Sequence, residues 1–171
     1  MYLPFDTVIG RIRKSAEISA CGRYRWWLRR SWNGGDERVI CFIMLNPSTA
    51  DAETDDPTIR RCIRFAQRWG FSHLSVRNLF ALRATNPDDL WRADDPIGGA
   101  RGDHELAAAA TADVVVAAWG VNVIRSRDEA ALRLLRGVRL MCLGKTKSGQ
   151  PQHPLYVRAN QPLVEFAANI A

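Results

Sequence analysis

The sequence predicts an α/β fold in which a mostly parallel, four-stranded sheet follows an antiparallel N-terminal hairpin. The first observation is that residues 39–45 form a short apolar run rich in β-branched residues, which is typical of a strand buried on both faces. The second is that strand-like and helix-like segments alternate after this run, which indicates parallel strands joined by right-handed crossovers. The third is that two short strand-like segments, separated by turn residues, precede it.

The chain ahead of the buried strand predicts the hairpin. Residues 16–19 and 23–32 have strand character and flank the turn-like 20–22, and 33–36 predict a second turn that leads into the buried strand. Arginines and aromatic residues interleave in 23–32. This pattern is typical of a nucleic-acid groove, but it is also typical of an amphipathic edge strand with aromatic side chains packed inward, which we favour.

A helix is predicted directly after the buried strand and its polar turn. Asp55 and Asp56 lie at its positive end and Pro57 lies in its first turn, which together form a strong start signal. Apolar residues recur at helical spacing as far as Trp69. Gly70 then predicts the end of the helix.

Strands and helices alternate through the rest of the chain. Residues 73–79 predict a strand, and the alanine-rich 102–112 predict a helix after a long loop. The apolar 114–118 predict the next strand. A further helix at 126–135 then leads to the last predicted strand at 139–143.

Length and composition indicate one globular domain. The 171 residues fit a single core, and a hydrophobic share of 47% with a charged share of 25% is ordinary for a soluble protein. No apolar run approaches the roughly 18 residues of a membrane helix, and 1–14 do not resemble a signal peptide. We therefore expect a cytoplasmic protein with no membrane partner and one domain over 1–171, made of a hairpin extension (1–38) and a core (39–158).

The charge balance favours a polyanionic partner. The chain has 24 basic and 18 acidic residues, a formal net charge of +6 and a pI near 9.6, so nucleic acid or a nucleotide is the expected partner. Only three of the basic residues are lysines. An excess of arginine is typical of bidentate phosphate recognition, but it also arises in a genome rich in G and C.

Metal and cofactor signatures are weak in this sequence. The four cysteines are scattered without a CxxC pair and the three histidines lie far apart, which argues against a zinc or iron–sulfur site with local spacing. The glycine patterns of dinucleotide-binding and P-loop proteins are also missing. We expect no metal and no cofactor.

Polar residues follow the predicted parallel strands where each of them ends. The carboxyl ends of parallel strands share one edge of the sheet, and ligands bind in the crevice beyond that edge. Each residue also has a structural interpretation as a helix cap, a turn residue or part of the core. The candidate site residues from this edge are Asn46, Pro47, Ser48, Thr49, Asp51, Asn78, Trp119, Lys145, Lys147 and His153.

The order of these motifs resembles that of the uracil-DNA glycosylase superfamily. A buried strand with Asn46-Pro47, a strand ending at Asn78, the run Val-Val-Val-Ala-Ala-Trp-Gly and His153-Pro154 carry the resemblance, which covers about 39–157. It implies a three-layer α/β sandwich in which Asn46 positions water, Asn78 reads the base edge and His153 supports the departing base. The whole chain more closely resembles a bacterial family known as domain of unknown function 1643, through its Leu-Asn-Pro-Ser-Thr-Ala-Asp signature.

The chemistry of N-glycosidic cleavage assigns roles to the candidate residues. Positive charge develops on the sugar and negative charge on the base, so the site needs an acceptor near the sugar and donors at the base. Asn46 cannot act as a strong base, which leaves Asp51, Asp55 or Asp56 as the compensating carboxylate, with Asp51 taken as catalytic. Pro47 and Trp119 are expected to bind the base. The expected phosphate contacts are Ser48, Thr49, Lys145, Lys147 and Arg158.

Three functional hypotheses follow. The leading one is a glycosylase-like enzyme that hydrolyses the N-glycosidic bond of an uncommon or modified base. The alternative is a non-catalytic protein that binds a nucleotide or single-stranded nucleic acid in the same pocket. A third is an interaction protein that only shares the fold. The serine-rich continuation expected after His-Pro is replaced by Leu155-Tyr156-Val157, so flipping of a base out of duplex DNA is not expected.

Overall fold

The computed structural model describes residues 11–124 and 126–166. Within these residues it is a mixed α/β fold with one seven-stranded, mostly parallel sheet and four α-helices. The strands are β1 (Arg13–Ile18), β2 (Arg25–Ser31), β3 (Asp36–Met44), β4 (Phe71–Asn78), β5 (Val114–Ala117), β6 (Leu140–Cys142) and β7 (Val164–Glu165). The helices are α1 (Pro57–Arg68), α2 (Asp88–Arg92), α3 (Gly99–Ala107) and α4 (Arg127–Leu134), with 3₁₀ turns at Ala108–Thr111 and Pro154–Tyr156.

The sheet is larger than the predicted one. Its strand order is β1-β2-β4-β3-β5-β6-β7, and the four central strands β4, β3, β5 and β6 are parallel as the sequence predicts. The N-terminal hairpin forms as expected, and β2 pairs antiparallel with β4, so the hairpin continues the same sheet. β7 adds a further antiparallel strand beside β6. The prediction of a four-stranded sheet is therefore wrong in size, since both edges of the parallel core are extended by short antiparallel strands.

The position of β2 also corrects the interpretation of the early chain. β2 is not an edge strand: it lies between β1 and β4. The turn at 33–36 does not connect paired neighbours either, because β4 separates β2 from β3. Trp26 and Trp32 are buried as expected for inward-facing aromatics, but Arg25 and Arg30 of the same stretch are buried with them.

Helices cover both faces of the sheet. Alternate residues of β3 belong to two hydrophobic clusters on opposite faces of the sheet. Phe42 of β3 lies in the cluster that contains Ile59 of α1. Ile43 of β3 lies in the other cluster, with Leu106 of α3 and Ala131 of α4. Across the sheet, the connection from β3 to β4 runs in one direction and the connection from β4 to β5 runs in the opposite direction. Right-handed crossovers in opposite directions place their helices on opposite faces.

Helix α1 forms where the sequence predicts it. Asp56 is its N-cap and accepts a hydrogen bond at Oδ1 from the Ile59 backbone N–H at 2.8 Å, with Pro57 as the first helical residue. Its apolar face, which includes Cys62 and Phe65, is buried against the sheet. The later helices are shorter than expected, and α2 lies in a stretch that was predicted to be a loop.

Candidate functional site

A cavity of about 410 Å³ lies at the carboxyl ends of the parallel strands. This is the edge at which ligands bind in open α/β sheets, and the volume lies within the range of small-molecule sites. Residues after β3, β4 and β5, the first turn of α1 and the segment before the second 3₁₀ turn line it. The polar lining residues are Arg25, Asn46, Ser48, Asp56, Thr58, Asn78, Thr85, Asn122, Thr146, Gln152, His153 and Tyr156.

Asn78, the last residue of β4, carries polar atoms that the protein leaves without partners. The residue is 6% exposed, and neither Oδ1 nor Nδ2 has a hydrogen-bond partner among residues 11–124 and 126–166. A buried donor or acceptor that lacks a partner costs about 1–3 kcal/mol. The residue lines the cavity, and its buried amide has one acceptor and one donor group that no described residue uses. A nucleobase edge complements this pattern.

Asn46 offers the cavity a fixed acceptor. Its Nδ2 donates to the backbone oxygens of Pro47 at 2.9 Å and Ala84 at 2.8 Å. Both amide hydrogens are used in this way, so the orientation of the side chain is set by the backbone. The group that remains for a ligand or a water molecule is the carbonyl oxygen Oδ1, as a water-positioning role requires.

The carboxylate that lines the cavity is Asp56, and Asp51 does not line it. Oδ1 of Asp51 accepts hydrogen bonds from the backbone N–H groups of Glu53 and Thr54, both at 2.8 Å, and these bonds lower the pKa of the carboxyl group. Asp51 therefore stabilises its own turn. The expectation of a catalytic Asp51 is not supported by this geometry, because Asp51 does not line the cavity and Asp56 does.

Asp55 and Asp56 have different environments although they are adjacent. Asp55 forms ion pairs with Arg30 and Lys14, both at 2.7 Å. Burial alone raises the pKa of Asp55, but hydrogen bonds and charge from these two cations lower it overall. Asp56 uses Oδ1 as the helix cap, and its Oδ2 has no hydrogen bond to any residue that the structure describes. Oδ2 of Asp56 is thus the carboxylate oxygen available in the cavity.

His153 lines the cavity as a neutral imidazole. Its Nδ1 accepts a hydrogen bond from the Leu155 backbone N–H at 3.2 Å, so the ring proton lies on Nε2. Burial lowers the pKa of His153, against the opposing charge of Asp56. The neutral form, with Nε2–H as a donor, therefore predominates at pH 7.

Backbone contacts hold the His153 segment in place. The Gly120 N–H donates to the Pro151 oxygen at 3.0 Å, which joins the turn after β5 to this segment. Arg61 of α1 donates to the backbone oxygens of Pro154 and Val157 at 3.3 and 2.5 Å. Residues distant in the sequence are brought together at the cavity by these contacts.

Trp119 and Tyr156 contribute different kinds of aromatic surface. Trp119 is 2% exposed, its Nε1–H donates to Gln150 Oε1 at 2.8 Å, and its ring packs edge-on against Phe166. It is a core residue at the cavity wall, with little ring surface free for the predicted contact with a base. Tyr156 is 81% exposed and lies 5.4 Å from the His153 ring, between centroids. Sequence reasoning missed it as the exposed aromatic residue of this cavity.

Arg25 is the cationic residue that sequence reasoning missed. It lines the cavity although it is only 2% exposed. The arginine-aromatic pattern of 23–32 was interpreted as an amphipathic strand, and that interpretation places arginines outward. No periodicity could show that Arg25 faces inward, because an irregularity in the pairing of β1 with β2 sets its direction.

The structure brings some of the predicted residues together and leaves others apart. Asn46, Ser48, Asn78, Trp119 and His153 share the cavity. The predicted residues that do not line it are Pro47, Thr49, Asp51, Lys145, Lys147 and Arg158. Pro47 is buried below the strand end and accepts hydrogen bonds from Asn46 and Ala84 at its carbonyl oxygen. Most of the predicted phosphate contacts thus lie on the exposed surface away from the cavity.

A second hollow, of about 520 Å³, lies along β1, β2 and β4 and contains none of the predicted site residues. Its polar side chains largely pair with other protein groups. Arg13 donates to Ser31 Oγ at 3.1 Å, and His73 lies 3.1 Å from Glu37. Arg77 forms an ion pair with Glu105 through Nη1, although its buried Nε has no partner among the described residues. We therefore place the candidate site in the smaller cavity, where the unpartnered groups of Asn78 lie.

Residues 11–124 and 126–166 contain neither a metal-binding cluster nor a membrane-spanning helix. No cluster of three or more histidine, cysteine, aspartate or glutamate side chains that could hold a metal ion occurs in this part of the chain. None of the helices in the same residues has the length and apolar character needed to span a bilayer.

Comparison with known proteins identifies the family. No curated protein and no solved structure is significantly similar to this chain. The model of one family, described as a protein of unknown function (DUF1643), matches residues 25–155. This match spans most of the chain, from the second strand of the sheet to the His153 segment, and thus includes the strand ends that surround the cavity. The chain therefore belongs to the DUF1643 family.

Proposed function

We propose that this protein recognises a nucleobase in the cavity and hydrolyses its N-glycosidic bond, as a uracil-DNA glycosylase-like enzyme. The observation that carries the proposal is the buried, unpartnered amide of Asn78. Its donor and acceptor match the paired acceptor and donor of a base edge, and a ligand with that edge would remove the cost of leaving both groups unpaired. The ordered motifs from Asn46 to His153 support the same assignment.

The proposed reaction divides among three further side chains of the cavity. Asn46 Oδ1 accepts a hydrogen bond from a water molecule, and Asp56 Oδ2 accepts the proton that this water loses as its oxygen bonds to C1′ of the sugar. The C1′–N bond breaks and its electron pair remains on the base nitrogen. His153 Nε2–H donates a hydrogen bond to the base and stabilises its developing negative charge. The proton on Asp56 then returns to solvent, and the base takes one up.

The proposed fold type follows from the same features. Four parallel strands with helices on both faces, and a cavity beyond their carboxyl ends, support a three-layer sandwich of the uracil-DNA glycosylase type. The net charge of +6 supports nucleic acid as the source of the nucleotide. The proposed substrates are single strands or free nucleotides and not duplexes, because the segment after His153 carries Leu155 and Tyr156 where a serine-rich loop is expected.

A second candidate function is nucleotide or single-strand binding without hydrolysis. The observation that favours it is that the fold already uses Asp56, because Oδ1 of this residue is the N-cap of α1. Only one of its two carboxylate oxygens is therefore left to interact with a water molecule or a ligand. In this case Asn78 and His153 bind the base and no bond is broken.

A panel of substrates separates the two candidates. Purified wild-type protein is incubated with single-stranded oligonucleotides that carry uracil, hypoxanthine or oxidised and alkylated bases, and with the matching nucleosides and nucleotides. We expect release of free base from at least one of them, detected by chromatography, and loss of this release in Asn46→Ala. Binding without release, measured by calorimetry, selects the second candidate. If no compound is bound or cleaved, both candidates are wrong.

A further inference from the structure

An irregularity in the N-terminal hairpin turns Arg25 towards the cavity. Glu17 pairs with Trp27, but the next residue of β1, Ile18, pairs with Arg25, so Trp26 is an extra residue in β2. Without this bulge, Arg25 would face the same side of the sheet as Trp27. With it, Arg25 joins the side of Leu28, which lies in the hydrophobic cluster of α1. Bulges commonly re-aim a side chain beside a functional site.

The Arg25 guanidinium is buried but lacks an anionic partner. It is 2% exposed, and no carboxylate lies within 4.0 Å of it among the described residues. Nη1 donates to the backbone oxygen of Ala50 at 2.8 Å, while Nε is buried and has no hydrogen-bond partner in the part of the chain that the structure describes. Buried charges in proteins are normally paired, because an unpaired one carries a large desolvation cost.

The charges around Arg25 leave its own charge in place. Burial lowers the pKa of Arg25 to about 10, so the group is still cationic at neutral pH. Asp56 and Asp51 attract it, while Arg83 and Arg30 repel it. Arg30 is itself paired with Asp55. The cavity thus contains a cation that is attracted most strongly by Asp56, which lines the same cavity without forming an ion pair with it.

We infer that Arg25 binds a phosphate group of the ligand, so that the cavity takes a nucleotide and not a free base or nucleoside. Planar guanidinium groups bind phosphate oxygens through paired N–H donors. Arg25 lines the cavity, and its Nε–H is not used by any described residue. Ser48, the one predicted phosphate contact that lines the cavity, adds a hydroxyl donor. The nucleobase part of this inference rests on the proposed function, whereas the phosphate site depends only on Arg25.

The test measures how much a phosphate adds to affinity. Calorimetry compares each nucleoside with its 5′-monophosphate and with the methyl ester of that monophosphate, which represents the phosphodiester of a strand. For wild type we expect the monophosphate or its ester to bind about 10- to 100-fold tighter than the nucleoside, the usual gain from a charge-assisted contact. Preference for the monophosphate indicates a free nucleotide, and equal gain from the ester indicates a strand.

Two variants assign this gain to Arg25. Arg25→Gln should bind nucleoside and monophosphate with equal affinity. The control is Arg83→Gln, because Arg83 is a nearby cation that does not line the cavity. This variant should keep the wild-type ratio of monophosphate affinity to nucleoside affinity. Equal binding of nucleoside and monophosphate to wild type, or an unchanged ratio in Arg25→Gln, would overturn the inference.

Inorganic phosphate separates this inference from the proposed function. If nucleosides and nucleotides do not bind but phosphate raises the Tm of wild type and not of Arg25→Gln, base recognition fails and the anion site stands. If phosphate also has no effect, both fail. Wild-type binding and Tm measurements do not need any variant to fold, so they test the inference even if Arg25→Gln is unstable.

Discussion

Replacing Asn78 with leucine should abolish base recognition and, at the same time, stabilise the empty protein. Leucine has the same branching and the same number of side-chain heavy atoms as asparagine, and it removes two buried polar atoms that have no partner among the described residues. Each such atom costs about 1–3 kcal/mol, so the free energy of unfolding should rise by about 1–3 kcal/mol after the cost of fitting the larger side chain. Binding of the best ligand should weaken about 5- to 150-fold through the loss of two hydrogen bonds.

The same substitution at Asn46 is the matched control. Asn46 donates both amide hydrogens to backbone oxygens, so Asn46→Leu removes hydrogen bonds that the folded protein uses and should lower the free energy of unfolding. Urea unfolding of both variants measures the two signs directly. A loss of stability in Asn78→Leu as large as that in Asn46→Leu would show that the Asn78 amide is satisfied in solution and is not reserved for a ligand.

Asp56→Asn should lower the rate of N-glycosidic cleavage by about 10²–10⁴-fold, the usual contribution of a general base. The fold should not change, because asparagine caps a helix about as well as aspartate and the Oδ1 bond to the Ile59 N–H can be kept. Ligand affinity should also be retained. Single-turnover rates of base release, measured with calorimetric affinity for the same ligand, separate the chemical step from binding.

Asp51→Asn is the control for this variant. Asp51 lies in the same loop and its carboxylate also accepts backbone N–H groups, but it does not line the cavity. We expect wild-type turnover from Asp51→Asn. The assignment of the carboxylate to Asp56 would be wrong if Asp51→Asn lost turnover and Asp56→Asn kept it.

The strand positions and the convergence of their ends could be predicted from sequence because period and order determine them. The apolar run at 39–45 and the polar residues after each strand were sufficient to place Asn46 and Asn78 at one edge. The size of the sheet could not be predicted in the same way. The edge strand β7 has only two residues, too few to give a side-chain pattern, and it pairs through backbone hydrogen bonds.

The errors within the candidate site have a common physical origin. Asp51 and Asp56 are both carboxylates in one polar segment. They differ in the backbone N–H groups from which they accept hydrogen bonds: Asp51 accepts from its own turn, and Asp56 accepts from the first turn of α1 beside the cavity. Arg25 faces the cavity because of one extra residue in β2. Loop hydrogen bonds and bulges are set by the tertiary structure, so a single sequence does not reveal them.

The most direct test of this account is an NMR titration that follows the side-chain amide of Asn78. The ¹⁵N-labelled protein is titrated with the nucleosides, nucleotides and oligonucleotides of the panel, and Asn78→Leu identifies the Asn78 NH₂ resonances by their disappearance. The account predicts that a bound base moves the Asn78 amide protons downfield and slows their exchange with water, because they become hydrogen-bonded. Saturation with a ligand that leaves these resonances unchanged, or the failure of every nucleobase compound to bind, would contradict it.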